Sequence, residues 1–156
     1  MQKKVDYKKQ GRRNKINGAN FERKVRTDLE SKGWIVSKWQ NNVEFADDEK
    51  DSSLNKTLQE LKEYNKIGKC IPAKPGRFRM MQTGFPDFIA YKEKPISNLR
   101  TYEVIFVECK TNGYLSKEEK EKADWYLKSR YCGKFFIAKK IKVGRRVEVE
   151  YNEYNG

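Results

Sequence analysis

The stretch VIFVECKT, residues 104–111, decides how the chain reads. Four apolar side chains come first, then a carboxylate (Glu108), a thiol (Cys109) and an ammonium (Lys110). A short apolar run of this kind reads as a buried central strand. In a strand, residues two apart share a face, so Glu108 and Lys110 point one way and Cys109 the other. Burying a charge is costly unless it is paired or binds a metal. The end of this strand is therefore either a structural ion pair or half of a reactive site, and the rest of the chain must decide between them.

Upstream, GFPDFIAYK (residues 84–92) is a turn running into a second strand, with Asp87, Ile89 and Tyr91 on one face. If the two strands are antiparallel neighbours, the start of one adjoins the end of the other, and Asp87 meets Glu108. Further upstream, GANFERKVRTDLESKG carries Phe21, Val25 and Leu29 at i, i+4, i+8. This spacing predicts a helix over residues 19–31, stopped by Gly33. At 100° per residue, Glu22 lies within about 20° of Leu29, on the core side of that helix. A strand follows over residues 34–40.

Downstream, GYLSKEEKEKADWYLKSRYCG predicts a helix with a capping box, Ser116 and Glu119, and a stop at Gly133. KFFIAKKIK and RRVEVEY then read as two strands joined at Gly144. The order is helix, strand, insertion, strand, strand, helix, strand, strand. A mixed α/β (α+β) layer fold with a central sheet flanked by helices accounts for it.

The flanking segments are different in character. Residues 1–17 hold seven Lys or Arg and one Asp with no strand or helix period, and read as a flexible basic arm. Residues 18–156 read as a single domain interrupted by an insertion at about 41–83. Within it come an acidic loop, a short helix over 53–65, and a basic Pro/Gly-containing loop over 66–83. The mixture of charge with an aromatic in that loop suits binding to a phosphate backbone.

Composition narrows the partner. The 156 residues carry a net charge of +13 and no histidine. A surplus of that size implies a polyanion, most simply nucleic acid. The three cysteines are widely spaced and no C-x-x-C pair exists, which argues against zinc and disulfides and for a reducing, intracellular setting. The charged N-terminus carries no signal-peptide pattern, and no apolar run approaches a membrane span.

Two carboxylates without histidine or thiolate suit a hard, oxygen-liking cation, Mg²⁺ or Mn²⁺. Such an ion can clamp a phosphoryl oxygen and activate water, and a neighbouring lysine can stabilise developing charge. E-x-K alone is weak, since ERK, ESK, ELK and EEK also occur. Only ECK ends an apolar strand. Three features together carry the signal: a core-side Glu on the first helix, P-D at a strand start, and E-x-K at the next strand's end.

This combination resembles the PD-(D/E)XK nuclease superfamily, through Pro86-Asp87 and Glu108-Cys109-Lys110. Within it, residues 18–140 look most like archaeal and viral Holliday junction resolvases. TGFPD with VECKTNGYLSKEE is also similar to the virus-type replication-repair (VRR-NUC) branch. The resemblance implies a restriction-endonuclease-like core with a mixed five-stranded sheet. It implies Mg²⁺ or Mn²⁺ held by Asp87, Glu108 and the Cys109 backbone carbonyl, with help from Glu22, and Lys110 on the attacking water. It also implies hydrolysis of branched DNA by a homodimer, leaving a 5′-phosphate and a 3′-hydroxyl. In a virus the host cytoplasm would be the setting.

Two features depart from that pattern. Glu119 stands where these families often carry Gln, and is a candidate accessory acid or merely half of the capping box. The 41–83 insertion is longer than compact resolvases need. Candidate backbone-binding residues are Lys8, Lys9, Arg12, Arg13, Lys15 and Arg23, the loop residues Lys74, Arg77 and Arg79, and Thr111 and Tyr114 beside the site. Trp34, Trp39 and Trp125 read as packing. The alternatives to a resolvase are a nuclease cutting flap, nicked or duplex DNA, and a non-catalytic nucleic-acid-binding module in which Glu108 and Lys110 form only an ion pair.

Overall fold

The apolar run at residues 104–107 forms the middle strand of a five-stranded mixed sheet in this computed structural model, which describes residues 7–45, 68–73, 84–96 and 99–156. The chain forms two compact units, residues 1–39 with 86–156 and residues 40–85. The first unit contains helix α1 (Tyr7–Ser31), strands β1 (Ile35–Lys38), β4 (Phe88–Glu93) and β5 (Tyr102–Lys110), helix α2 (Lys117–Lys128), and strands β6 (Lys134–Val143) and β7 (Arg146–Tyr154). The second contains β2 (Asn41–Phe45) and β3 (Gly68–Pro72).

The sheet order is β1-β4-β5-β6-β7. β4 and β5 are antiparallel, Phe88 opposite Val107. β5 and β6 are parallel, joined through α2. A parallel pair needs such a crossover, because a tight turn can join only antiparallel strands. Each face of β5 has its own packing. Ile105 and Val107 lie beneath Phe21, Val25 and Leu29 of α1, together with Val36, Phe88, Ala90 and Ala138. On the opposite face Phe106 meets Trp39 and Tyr126, both at 4.9 Å between ring centroids, and Phe135 at 6.5 Å. Buried side chains of this size contribute about 1.5–3 kcal/mol each.

Trp39 also donates from Nε1 to the Tyr126 hydroxyl at 3.1 Å. Trp34 packs against the α1 core, and Trp125 packs on Tyr126 and Tyr131. All three tryptophans are packing residues.

Three local expectations need correction. The first helix starts at Tyr7, so residues 7–17 are helical rather than without period. All of them are exposed, so packing imposes no apolar stripe for a sequence reading to detect. Lys, Arg and Gln are good helix formers, and extending a helix already nucleated by the packed half is cheap. Next, Gly133 does not stop α2. The helix ends at Lys128 with Ser129 as its C-cap, and Arg130 takes the left-handed conformation at φ 56°. Gly133 instead donates its N–H to the Val104 carbonyl as β6 begins. Last, residues 68–72 form a strand where Gly and Pro suggested a loop. β3 pairs antiparallel with β2, and Pro72 sits at its last position, where a missing donor costs least. The acidic loop beyond Phe45, the helix at 53–65 and most of the basic loop lie outside the described residues.

Candidate active site

Antiparallel pairing of β4 and β5 places the start of one beside the end of the other. With Phe88 opposite Val107, Asp87 falls opposite Glu108. Two hydrogen bonds tie them. The Asp87 backbone N–H donates to Glu108 Oε2 at 3.0 Å, and the Cys109 N–H donates to Asp87 Oδ2 at 2.9 Å. These are the only two charged residues counted as buried among those described, at 8% and 7% exposure. The Cys109 side chain packs on the α1 side of the sheet. Burial raises its thiol pKa above the ordinary value, so it stays a thiol.

Lys110 shares its face with Glu108, as the two-residue period requires. Its Nζ lies 3.2 Å from Glu108 Oε1 and 2.5 Å from Glu119 Oε1. The two roles weighed for Glu119 coexist: its other oxygen accepts from the Ser116 N–H at 2.8 Å, closing the capping box of α2. A tight turn leads from Lys110 to α2. Gly113 there has φ +78°, and a Cβ would meet the Lys139 side chain at 2.7 Å.

The fourth acid is Glu22 on α1. It makes a close ion pair with Lys38, whose Nζ also lies 3.4 Å from Asp87 Oδ1. Lys38 was not among the expected site residues. Its signal was present, however: it stands two positions after buried Val36, at the end of a strand, as Lys110 does.

Like charge and burial act together here. Burial pushes Glu108 up to about 8, and the Asp87 carboxylate pushes the same way against the Lys110 ammonium. Burial also raises Asp87; the Cys109 N–H opposes this and the Glu22 charge adds to it. Burial would lower Lys38 and Lys110, but their two carboxylate partners together, Glu22 with Asp87 and Glu119 with Glu108, outweigh it and hold both raised. Burial raises Glu119 too, yet Lys110 and the Ser116 bonds together bring it below its ordinary value.

Asp87 and Glu108 offer two hard oxygen donors at one sheet end. Mg²⁺ is typically held by one or two carboxylates while keeping several waters, so this donor set fits such an ion. A divalent cation would offset the burial, and the like charge beside it, that raise both acids. Among the described residues, no group of three or more His, Cys, Asp or Glu converges as a ready-made metal cage, because Glu22 and Glu119 turn to the lysines.

The expected phosphate-binding residues divide. Lys8, Lys9, Arg12, Arg13 and Lys15 are exposed on the first half of α1, and Arg23 further along it donates to Asn20 at 3.2 Å. Lys8, Lys15 and Glu22 are seven apart, and a helix drifts only about 20° per heptad, so they fall on one line along α1. Thr111 and Tyr114 are exposed beside the site, Tyr114 at 75%. Lys74, Arg77 and Arg79 lie outside the described residues. A further basic feature went unread: β6 pairs with β5 only as far as Lys139, and the β6–β7 hairpin runs on past the site end with Lys140, Lys142, Arg145 and Arg146. KKIKVGRR announced it in the sequence.

Another cavity, lined by Tyr102, Val104, Leu127, Arg130 and Cys132, lies at the opposite end of β5 and contains none of these acids. Among the described residues no helix is long and apolar enough to cross a membrane. Comparison with known proteins finds no matching family model, no matching curated protein and no matching solved structure.

Proposed function

We propose that this protein is a divalent-metal-dependent endonuclease of the PD-(D/E)XK kind, with a restriction-endonuclease-like core, acting on branched DNA as a Holliday junction resolvase. One observation carries the proposal: buried Asp87 at the start of β4 stands against buried Glu108 at the end of the antiparallel β5, with Lys110 on the same face.

Asp87 and Glu108 would hold Mg²⁺ or Mn²⁺, with the Cys109 carbonyl as a further donor. When bound, the ion supplies a Lewis acid and lowers the pKa of water. The chain's own residues do the rest. The Cys109 N–H fixes the Asp87 carboxylate. Lys110, held by Glu119, orients the attacking water and stabilises charge developing on the phosphate. The basic half of α1 and the β6–β7 hairpin bind the phosphate backbone. Homodimerisation would give the paired cuts a junction requires.

A substrate panel tests this. Four-way junction, flap, nicked and linear duplex DNA are incubated with the protein in Mg²⁺, Mn²⁺ and EDTA, beside Asp87→Ala. Symmetric paired nicks in the junction, absent with EDTA and in the variant, are expected. Preferred cutting of flap or duplex would make it a nuclease of another branch.

One observation favours a second reading. Both lysines of the site are already paired with acids, as a non-catalytic nucleic-acid-binding module would have them. That reading requires salt-sensitive DNA binding with no cleavage at any metal concentration.

A further inference from the structure

Lys38 is one of the lysines whose ion pairs bridge distant elements. Lys32 with Asp28 and Lys122 with Glu118 are only four residues apart, and Lys134 links the two strands beside its own through Glu103 and Glu153. Lys38 joins three elements. It extends from the end of β1, pairs closely with Glu22 of α1, and lies 3.4 Å from Asp87 at the head of β4. Its Nζ also stands 5.2 Å from the centre of the Phe88 ring, so the ammonium is held on three sides.

The arrangement is needed electrostatically. Two carboxylates from separate elements come within reach of a single nitrogen. With no cation between them, the pair would be two like charges in a partly buried setting, which opposes ionisation of both. Either an ammonium or a divalent ion with its waters can meet that need. The ammonium comes with the fold and is not drawn from solution.

We propose that Lys38 is a resident cation of the site: its ammonium holds the position between Glu22 and Asp87 that a divalent ion would otherwise take. The proposal takes from the nuclease reading only that Asp87 is a metal ligand. It goes further in confining the exchangeable ion to the Asp87–Glu108 side, one per chain, and in making Glu22 a partner of Lys38 rather than of the metal.

The test counts bound Mn²⁺ on the full chain from the spin-resonance signal of the free ion. Wild type, Lys38→Gln, Lys38→Arg and the control Lys32→Gln are compared, each checked for native circular dichroism. Lys38→Gln is expected to bind one Mn²⁺ more than wild type, and Lys38→Arg and Lys32→Gln no more than wild type. Equal counts in Lys38→Gln and wild type would overturn the proposal. If Lys38→Gln folds poorly, Mn²⁺ should bring its melting temperature back towards wild type, and failure to do so is equally fatal. The wild-type count answers the separate question of whether Asp87 and Glu108 hold an ion. A count of zero there would sink the nuclease reading, while the difference between variants would still decide the role of Lys38.

Discussion

The site is built from two charged triplets of opposite legibility. Glu108, Lys110 and Glu119 come from one strand end and the helix after it, within twelve residues of chain. Glu22, Lys38 and Asp87 come from a helix and two strands, with the second compact unit intervening in sequence between Lys38 and Asp87. The first triplet is held by local geometry: the strand period puts Glu108 and Lys110 on one face, and the capping box of α2 delivers Glu119. The second exists only because β1 and β4 pair and α1 packs over them. Local order made one triplet visible; tertiary pairing made the other.

The largest effect is expected where the triplets meet. Asp87→Ala should lower cleavage of the best substrate by at least about a hundredfold, as should Lys110→Ala, since removing one stabiliser of transition-state charge typically costs about 10²–10³ in rate. Steady-state cleavage assays in Mg²⁺ check this. A drop below about threefold in both variants would reassign these residues to structure.

DNA affinity should then separate surface from site. The triple variant Lys8→Gln, Arg12→Gln, Lys15→Gln removes three cations from the exposed half of α1. It should reduce the slope of log affinity against log salt by about 0.9 for each phosphate no longer neutralised, while leaving the melting temperature nearly unchanged. Binding measured from 50 to 200 mM salt reads the slope. An unchanged slope would mean that this half of α1 does not touch the backbone.

A smaller effect dissects Glu119. Ser116→Ala removes one capping bond and should cost about 1 kcal/mol, with Lys110 still held. Glu119→Ala removes the reciprocal bond and the Lys110 partner together. Both should lower the melting temperature by a few degrees, but only Glu119→Ala should also slow cleavage. Equal cleavage in the two variants would leave Glu119 as a cap alone.

Much of this was legible beforehand. The buried strand at 104–107, the strand after Asp87 and the capping box follow from period and cap chemistry, which act within a few residues, whereas the antiparallel pairing of the two strands stood in the sequence only as a condition. Missed features depend on distant partners or on the lack of packing. The exposed half of α1 has no apolar period because none of residues 7–17 is buried among the described residues. Lys38 had the same strand-end position as Lys110, but its two acidic partners lie 16 and 49 residues away in sequence. The turn at Arg130 replaced the one expected at Gly133 because Gly133 is used where β6 joins β5.

Under the proposed function the charges at this sheet end serve chemistry rather than stability, and pH separates the two. In the folded state burial and Asp87 push Glu108 up to about 8 from its ordinary 4.5. Its contribution to stability is therefore fully present below 4.5 and disappears as pH rises through about 8. Glu108→Gln carries no such charge and escapes that decline. Thermal unfolding of Glu108→Gln beside wild type, at pH 9 in EDTA, is the most direct measurement. The variant is predicted to melt no lower than wild type, and higher if the repulsion with Asp87 dominates. A variant melting several degrees below wild type would show Glu108 to be a stabilising ion-pair partner and would contradict the account.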